Sequence, residues 1–375
     1  MNPLIVACSA NTPYGPGLRK CWEGLMEGRS GIRPVERFGE GQFISDYAAL
    51  VPDIPMKTGN RLMELLGPVL ENLPNPLPPE IPLFLATTTG QIDLLEQSVE
   101  KGSGQIESSS PLRLLDELRQ LTGIRGPARV VSCACASSTA AVARAASEVQ
   151  AGHAETALVV GCDAVSEFVY AGFSTLMAMS PQPARPFDRD RDGLTVGEAA
   201  AATFVMNPSQ AGAGKYQPLA EVLGWGYTND ANHMTGPSRD GKGLKRAIEI
   251  ALDMAACAPE DLAFVNAHGT GTVYNDAMEM KALRQVFGNN PKPVYSIKGG
   301  TGHTMGAAGL LEILLTAESL KEAIIPSTVG MDEPDERAQG WVKTEHVSVP
   351  ANRPALSINS GFGGVNVAVV LQKTP

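Results

Sequence analysis

Short apolar runs alternate along this chain with longer segments that have the apolar spacing of helices. The short runs predict buried strands over residues 81–86, 157–161, 201–206, 262–265 and 365–371. The longer segments predict helices over residues 140–151, 243–257, 276–287 and 306–323. Because strands that alternate with helices pack in layers, the pattern predicts an α/β fold.

The same order of elements occurs in both halves of the chain. In the first half, one strand ends in threonines 87–89, and a later strand leads through Cys135 into an alanine-rich helix. In the second half, one strand ends near His268, and a later strand leads through His303 into the helix that follows. The spacing is too loose to prove a repeat. It suggests two similar halves whose strand-to-helix junctions converge on one site.

The length of 375 residues fits one large domain or two average ones. Hydrophobic residues make up 43% and charged residues 19%, which indicates a globular protein with ample material for a core. We place the two halves at 1–214 and 215–375, with the small, polar segment 207–214 as the connector.

Charge and cysteine content narrow the class of protein. A net charge of −10 disfavours general binding to nucleic acids or anionic membranes. The first residues lack the features of a signal peptide, and no apolar run is long enough to span a membrane. The six cysteines form no disulfide pattern, and Cys8 and Cys162 lie in apolar runs, as small core residues do. These features predict a cytoplasmic protein.

The segment 130–139 reads Val-Val-Ser-Cys-Ala-Cys-Ala-Ser-Ser-Thr and is the most informative part of the chain. It places Cys135 at a helix N-terminus, where free backbone N–H groups and the helix dipole favour an anion. A thiol in such a place ionises more easily, and the thiolate is the nucleophile. We therefore predict that Cys135 carries a covalent acyl intermediate.

Cys133 and Cys135 form a C-x-C pair, which a metal site or a redox pair would also use. The histidines are not at metal-ligand spacing from this pair, and no second cysteine pair is present, so we predict no metal. In an unbroken strand the two sulfurs would share a face. We expect a turn to re-aim Cys135 and to leave Cys133 on the strand, in the core.

Two of the five histidines lie in glycine- and threonine-rich turns that follow apolar strands. His268 lies in Val-Asn-Ala-His-Gly-Thr-Gly-Thr, and His303 lies in Gly-Gly-Thr-Gly-His-Thr-Met-Gly. Such turns let backbone and substrate approach closely, and loops on a rigid scaffold often carry catalysis. A single histidine of this kind would more often be structural. Two of them, together with Cys135, favour a catalytic site, whereas histidines 153, 233 and 346 are expected on the surface or in loops.

Lys298 ends a strand within a glycine-rich turn, and a lysine held near a pocket needs a carboxylate or several acceptors. Glu279 or Asp276 could supply it, although their spacing also resembles a helix capping box.

Phe362 lies between glycines in a turn that enters the last strand. The turn is either a hairpin with an anchoring aromatic ring or a mobile lid whose N–H group polarises a carbonyl.

These motifs together resemble the elongating β-ketoacyl–acyl-carrier-protein synthases of the thiolase-like superfamily. The resemblance covers nearly the whole chain, in order and in spacing. It rests on Cys135-Ala-Ser-Ser, Arg185-Pro-Phe-Asp-Arg-Asp-Arg-Asp-Gly193, Val196-Gly-Glu198, Asn266-Ala-His-Gly-Thr-Gly-Thr272, Asn275-Asp276, Lys298, Thr301-Gly-His303, Gly306-Ala-Ala-Gly309 and Gly361-Phe-Gly-Gly364. It implies two α/β halves stacked as five αβαβα layers, usually in a two-fold dimer.

The resemblance implies a decarboxylative Claisen condensation in fatty-acid or type II polyketide or polyene elongation. Cys135 would accept the acyl group, and His268 and His303 would assist decarboxylation of malonyl-acyl-carrier protein. The products would be 3-oxoacyl-acyl-carrier protein and CO2. Lys298 would organise the two histidines, with Glu279 as its partner.

The same resemblance implies how substrates are held. Thr270 and Thr272 would contact the phosphopantetheine arm of the acyl carrier protein, and Phe362 would be the gate beside Cys135. The backbone N–H groups of Cys135 and Phe362 would form the oxyanion hole. Neither a metal nor a redox cofactor is implied.

Because the carrier protein is acidic, we expect a basic patch at the mouth of the substrate tunnel. Lys57, Arg61 and Arg189 are the candidates for this patch.

The chain also departs from the family pattern. Its loops after residue 40 and around 90–115 are shorter than usual, and Ser360 and Val365 replace common residues beside the gate. These differences bear on acyl length and pathway rather than on chemistry.

Two other functions share parts of this pattern. A chain-length-factor-like subunit would build the tunnel in a heterodimer without catalysing condensation, but such partners typically lack the nucleophile. A degradative thiolase or a starter-unit synthase resembles a different triad, in which one histidine position is asparagine or a second cysteine. The presence of Cys135, His268 and His303 together favours the elongating synthase.

Overall fold

The computed structural model describes residues 1–35, 41–55, 59–102, 106–213 and 216–374. The strands, numbered in chain order, are β1 (Leu4–Thr12), β2 (Gly15–Pro16), β3 (Arg33–Pro34), β4 (Tyr47–Ala48), β5 (Leu83–Ala86), β6 (Ala128–Val131), β7 (Thr156–Asp163), β8 (Ala199–Met206), β9 (Pro218–Asn229), β10 (Val265–Asn266), β11 (Val294–Tyr295), β12 (Ile324–Ile325), β13 (Val347–Ser348), β14 (Ala355–Gly361) and β15 (Val365–Gln372).

The helices, numbered in the same way, are α1 (Leu18–Met26), α2 (Arg61–Glu71), α3 (Ile92–Lys101), α4 (Pro111–Thr122), α5 (Ser137–Gln150), α6 (Glu167–Thr175), α7 (Pro208–Ala213), α8 (Lys242–Ala255), α9 (Val273–Phe287), α10 (Lys298–Thr301) and α11 (Ala308–Glu322). Each strand and helix predicted from the apolar pattern is present, with bounds shifted by a few residues. The predicted strand 262–265 is reduced to the two residues of β10.

The main sheet has the order β11-β10-β14-β15-β9-β1-β8-β7-β5-β6. Outward from β1, strands β8 and β7 are antiparallel to their neighbours, and β5 and β6 pair in parallel. Outward from β9, strands β15 and β14 are antiparallel to their neighbours, and β10 and β11 pair in parallel. The two halves of the sheet therefore share one strand pattern and meet where β1 pairs with β9.

Helices α5 and α11 pack against each other and against strands of both sheet halves, so they form a central layer. Helices α2 and α4 cover the outer face of the first half. Helices α8 and α9 cover the outer face of the second half. The order of layers is helix, sheet, helix, sheet, helix, and this confirms the five-layer αβαβα fold.

Helix α11 is apolar on nearly all sides, which suits a helix enclosed by protein. Its approach to α5 depends on Gly309. A Cβ atom at this position would lie 1.9 Å from Oγ1 of Thr139 and 2.3 Å from Oδ1 of Asn359. The Leu310 N–H group donates to Oγ of Ser138 at 2.8 Å, which fixes the two helices at their N-terminal ends. The strand-to-helix junctions of both halves are thereby brought together.

The six cysteines are free thiols. Cys162 is buried, as predicted, whereas Cys8 is only half-buried. The prediction that Cys133 lies on a strand in the core is wrong. Strand β6 ends at Val131, and Cys133 is half-buried beyond it, with its sulfur 3.2 Å from Oη of Tyr227.

Across the described ranges, no helix combines the length and the apolar character needed to cross a membrane. The boundary between halves at residues 214 and 215 stays a prediction.

Candidate active site

Cys135 occupies a tight turn between β6 and α5. Ala134 has φ of 49°, and the N–H groups of Ala136 and Ser137 donate to the carbonyl oxygens of Cys133 and Ala134 at 3.2 and 3.1 Å. Gly361 packs against this turn so closely that a Cβ atom would lie 2.8 Å from the Cys133 carbonyl oxygen. The turn aims the Cys135 side chain inward, and only 6% of the residue is exposed.

The surroundings of the Cys135 sulfur disfavour a free thiolate. Burial raises the pKa of Cys135 to about 12, and the charge of Asp163 acts in the same direction. The Lys298 charge and the backbone N–H groups of Phe362 and Cys135 act to lower the pKa but do not outweigh burial. Burial therefore opposes the easier ionisation that the helix terminus predicts, and it favours the thiol.

His303 is fixed by its backbone and by one ring nitrogen. Its N–H group donates to the Thr195 carbonyl oxygen at 2.7 Å, and its carbonyl oxygen accepts from Gly197 at 2.9 Å. Nδ1 accepts from the Met305 N–H group at 3.3 Å, so the ring proton belongs on Nε2. Nε2 is buried and has no hydrogen-bond partner among the described residues. It is therefore a donor directed into the site.

His268 is held in the same tautomer by different groups. Its Nδ1 lies 3.2 Å from Nζ of Lys298 and 3.1 Å from Nδ2 of Asn359. Both neighbours are N–H donors, so Nδ1 accepts and the proton lies on Nε2. The rings of His268 and His303 are 5.2 Å apart and nearly perpendicular, at 84°.

Both imidazoles are neutral in this site. Burial holds the pKa of His268 well below its usual value, and the charge of Lys298 adds to the effect. Burial and the Lys298 charge likewise hold the pKa of His303 well below its usual value. The site therefore presents two neutral N–H donors at neutral pH.

Lys298 has a different partner from the one predicted. Its ammonium group binds the carboxylate of Glu312 on α11 and the backbone carbonyl oxygen of His268. Glu279 instead accepts from the backbone N–H groups of His268 and Gly269, at 2.8 and 2.6 Å. Glu279 therefore supports the His268 turn through its backbone N–H groups and does not pair with the ammonium group.

Asp276 also supports this turn. Its carboxylate accepts from the N–H groups of Thr270 at 3.1 Å and Phe187 at 2.8 Å. The predicted capping box is absent, because Thr272 caps α9 by accepting from the Asn275 N–H group. Burial, together with the charge of Asp276, raises the pKa of Glu279 to about 8.

A cavity of about 370 Å³ connects this site with the surface. Cys135, His268 and His303 line it together with Thr270 and Thr272. Tyr274, which is 64% exposed, lines it at the surface, as does the exposed His233. The cavity thus brings the predicted nucleophile, both predicted histidines and both predicted substrate-binding threonines to one space.

A second cavity, of about 210 Å³, is lined mainly by apolar side chains, which include Phe168, Phe173 and Leu176. Cys135 and Phe362 line both cavities. Phe362 lies in the turn of the β14–β15 hairpin, and its ring centroid is 5.7 Å from that of Phe173. The turn is therefore a hairpin, as the first of the two interpretations predicted. The Phe362 ring lies beside the predicted nucleophile and next to an apolar pocket.

Sulfur and nitrogen ligand atoms of Cys135, His268 and His303 lie within 4.8 Å of one another. Thiolate and imidazole are ligands that Zn²⁺ accepts, so this group could bind a soft divalent ion. The described residues contain one such group. That the protein needs no metal stays a prediction.

Three polar residues of the site were missed in the sequence. Glu312 and Asn359 bind each other and reach Lys298 and His268, yet each lies within an apolar helix or strand. Asp163 is fully buried at the end of β7 and accepts from Thr88 and Gly306 N–H groups at 2.9 and 2.6 Å. For Glu312 and Asp163, the sequence does carry a signal, which is a charged residue within an otherwise apolar run.

Of the three residues expected in the basic patch, the two that the structure describes are both paired with carboxylates. Lys57 lies outside the described residues. Arg61 is buried, 2% exposed, and its Nε donates to Glu198 at 2.8 Å. Arg189 is exposed but is ion-paired with Glu333. Arg61 is therefore structural, and its docking role is excluded by burial.

Comparison with known proteins gives consistent matches. Residues 117–211 match the model of the beta-ketoacyl synthase N-terminal domain, and residues 219–332 match that of the C-terminal domain. A 3-oxoacyl-[acyl-carrier-protein] synthase 2 from Synechocystis sp. is 30% identical, over 99% of this chain and 97% of the relative.

Solved structures are similar over the full length. The ishigamide ketosynthase/chain length factor structure has a TM-score of 0.89 at 28% identity, with 100% of both chains covered. The ketosynthase ApeO, in complex with its chain length factor ApeC from Xenorhabdus doucetiae, has a TM-score of 0.82 at 26% identity, covering 100% of this chain and 98% of that one.

Proposed function

The chain belongs to the β-ketoacyl synthase family, and on that premise we propose that it catalyses decarboxylative Claisen condensation. An acyl group held on Cys135 would condense with malonyl-acyl-carrier protein to give 3-oxoacyl-acyl-carrier protein and CO2. One observation carries the proposal. A buried thiol and two neutral Nε2–H donors face one cavity that reaches the surface.

The first half-reaction loads the acyl group. The Cys135 sulfur attacks the thioester carbonyl, a new C–S bond forms, and the C–S bond to phosphopantetheine breaks. The thiol proton of Cys135 ends on the departing phosphopantetheine sulfur. Because burial raises the pKa of Cys135 to about 12, this proton leaves during attack rather than before it. The backbone N–H groups of Cys135 and Phe362, which act on the sulfur, would stabilise the oxyanion.

The second half-reaction makes the nucleophilic carbon. The malonyl carboxylate leaves as CO2, and its electron pair passes to the thioester enolate. The Nε2–H groups of His268 and His303 would donate to the enolate oxygen, where negative charge develops. Neutral donors suit this task, and burial keeps both pKa values low.

Carbon–carbon bond formation completes the cycle. The enolate carbon attacks the acyl carbonyl on Cys135, the C–C bond forms, and the Cys135 C–S bond breaks. The released thiolate takes up one proton. The electron count balances without an oxidant or reductant, so the reaction needs no redox cofactor. We further propose that the enzyme is cytoplasmic and needs no metal.

The carrier of both substrates would be an acyl carrier protein, as named for the Synechocystis relative. Thr270 and Thr272 line the cavity between the surface and Cys135, where a phosphopantetheine arm would pass. The apolar cavity beyond Phe362 would hold the acyl chain. Fatty-acid and type II polyketide or polyene elongation both use this chemistry.

We also propose a dimer, with a second copy or with a related subunit. Phe168, Leu176 and Met177 border the acyl cavity or the main cavity and are 59%, 49% and 80% exposed. Exposed apolar groups beside a pocket favour coverage by another chain. The ApeO ketosynthase, which has a chain length factor as its partner, is a precedent for the heterodimer.

Intact mass spectrometry tests the proposed function. The protein is incubated with acyl carrier proteins that bear chains of increasing length, and the modified peptide is mapped. We expect one acyl adduct on Cys135, none in Cys135→Ala, and an undiminished adduct in Cys133→Ser. A non-condensing partner subunit would stay unmodified, and an adduct on Cys133 would contradict the assignment.

A further inference from the structure

Asp163 is a fully buried residue whose carboxylate joins two turns of the candidate active site. It ends β7, and its side chain lies between the threonine-rich turn after β5 and the turn that follows His303. Oδ1 accepts from Oγ1 of Thr87 at 2.7 Å. Oδ2 accepts from the N–H groups of Thr88 at 2.9 Å and Gly306 at 2.6 Å. One side chain therefore connects the ends of β5 and β7 with the segment that carries His303.

The partners of the Asp163 carboxylate are hydroxyl and backbone N–H groups. Among the described residues, no arginine, lysine or histidine pairs with it. Burial raises the pKa of Asp163, and the hydrogen bonds from Thr87, Thr88 and Gly306 act in the opposite direction. Because a buried carboxylate without a cation costs stability, this arrangement points to a role beyond packing.

The turn that Asp163 holds contains a residue with an unfavourable backbone conformation. Met305 has φ of 51°, in the left-handed region that residues with a side chain rarely adopt. Such a conformation persists only where the surrounding structure fixes it. The next N–H group in the chain is that of Gly306, and it is the one that donates to Asp163. This hydrogen bond therefore fixes the peptide that follows Met305.

The conformation of this turn also determines the tautomer of His303. The Met305 N–H group donates to Nδ1 of His303 at 3.3 Å, and this contact keeps the ring proton on Nε2. If Met305 relaxed to ordinary backbone angles, its N–H group would change direction and Nδ1 would be free to take the proton. Nε2 would then lack a proton and would no longer be a donor to the enolate oxygen.

We propose that Asp163 is a positioning residue for decarboxylation: it binds the Gly306 N–H group and so holds the Met305 turn that keeps the proton of His303 on Nε2. The inference rests on the proposed function, because it takes an enolate to form beside Nε2. Asp163 is not among the described residues that line the two cavities beside Cys135. It therefore acts through His303 and not on the substrate.

Side chains with fewer acceptor atoms at position 163 test this inference. Asp163→Leu is similar in size but accepts no hydrogen bond, so CO2 release from malonyl-acyl-carrier protein should fall about 100-fold. Asp163→Asn keeps one oxygen that can accept from Gly306, so its loss should stay below about fivefold. Loading of Cys135 from a short acyl thioester should stay within about threefold in both variants, because its oxyanion donors are backbone groups.

Nitrogen NMR of the histidine rings gives a readout that does not depend on turnover. The protein is labelled with ¹⁵N in its histidine rings, and the His303 signals are assigned by their loss in His303→Ala. We expect the His303 proton on Nε2 in the wild type and a mixture of the two tautomers in Asp163→Leu. The ring of His268 should keep its tautomer, because Lys298 and Asn359 still face its Nδ1.

Two further variants separate the Gly306 contact from the other contacts of Asp163. Gly306→Ala keeps the carboxylate but places a Cβ atom 2.5 Å from Oδ2, so it should show the same selective loss of CO2 release. It also provides the test if Asp163→Leu does not fold. The matched control is Thr88→Val, which removes the hydroxyl that donates to Oδ2 at 2.8 Å and leaves the Gly306 contact in place. Its rate of CO2 release should change less than about threefold.

The outcomes separate this inference from the proposed function. Equal losses of loading and CO2 release in Asp163→Leu, with the His303 tautomer unchanged, would show a purely structural role and overturn the inference. Unchanged CO2 release in both Asp163→Leu and Gly306→Ala would overturn it as well. A wild-type protein that releases no CO2 would contradict the proposed function, whereas a changed His303 tautomer in Asp163→Leu would still support the positioning of His303 by Asp163.

Discussion

The ammonium group of Lys298 is bound to the carboxylate of Glu312, and the two side chains are only 1% and 0% exposed. The second oxygen of that carboxylate accepts from Asn359, and both Lys298 and Asn359 reach Nδ1 of His268. This buried network on α11 and β14 therefore decides which nitrogen of His268 faces the cavity. It links the central helix layer to the proposed chemistry.

Glu312 should matter more than Glu279 for decarboxylation. Glu312→Gln removes the charge that balances Lys298, so we expect release of CO2 from malonyl-carrier protein to fall about 100-fold. Glu279 accepts from the backbone N–H groups of the His268 turn, so Glu279→Gln leaves the Lys298 ammonium group paired with Glu312. In Glu279→Gln, the rate of CO2 release should fall less than about fivefold. Equal losses in the two variants, measured as initial rates, would contradict this ranking.

His303 should act on decarboxylation and not on loading. His303→Ala removes an Nε2–H donor aimed at the developing enolate, so CO2 release should fall by about 10² to 10³. Loading of Cys135 from an acyl thioester should stay within about threefold, because its oxyanion donors are backbone groups. Quenched-flow measurement of each half-reaction gives the comparison. A parallel loss of loading would show that His303 instead deprotonates the thiol.

Alkylation of Cys135 should follow its raised pKa. With a pKa of about 12, the thiolate fraction is small at pH 7 and rises tenfold per pH unit. In a Cys133→Ser background, the rate of iodoacetamide labelling of the Cys135 peptide should therefore climb through pH 7 to 9 without a plateau. A plateau below pH 8 would show a stabilised thiolate and would restore the interpretation from the helix dipole.

Gly172 should control acyl length. It lines the apolar cavity on α6, and a Cβ atom there meets nothing within 4 Å. Gly172→Leu should fill the cavity and slow acylation by long chains about tenfold, while short chains react as before. The added side chain removes a helix glycine, so stability should rise by about 0.8 kcal/mol rather than fall.

The matched control for that variant is Gly67→Leu on α2, where a Cβ atom likewise has open space within 4 Å. It should leave the preference for acyl length unchanged, and its helix stability should not rise, because Pro68 follows it directly in α2. A shift in chain length in Gly67→Leu, or none in Gly172→Leu, would remove the acyl role of the apolar cavity.

The sequence allowed the layers and the junctions to be predicted, because apolar periodicity and glycine-rich turns are local signals. Cys135, His268 and His303 were all placed by such turns, and the structure brings them to one cavity. The Lys298–Glu312 pair was not predicted, because the packing of α11 against the Lys298 turn is a tertiary contact with no local signal.

Two other errors have a common physical origin. The helix terminus suggested an acidic Cys135, but desolvation outweighs it once the turn is enclosed. Arg61 was expected at the surface, yet Glu198 draws it into the core, where the ion pair is almost fully buried. Burial is a property of the assembled fold, so charge and dipole arguments from short segments do not reveal it.

The most direct measurement is a single turnover that begins with the isolated acyl-enzyme. The protein is loaded on Cys135 with a ¹³C-labelled acyl group, freed of carrier, and mixed with malonyl-acyl-carrier protein. We predict that the label leaves Cys135 and appears in 3-oxoacyl-carrier protein, with one CO2 released per acyl group. A label that stays on Cys135 while CO2 is released, or that leaves as free acid, would contradict carbon–carbon bond formation at this site.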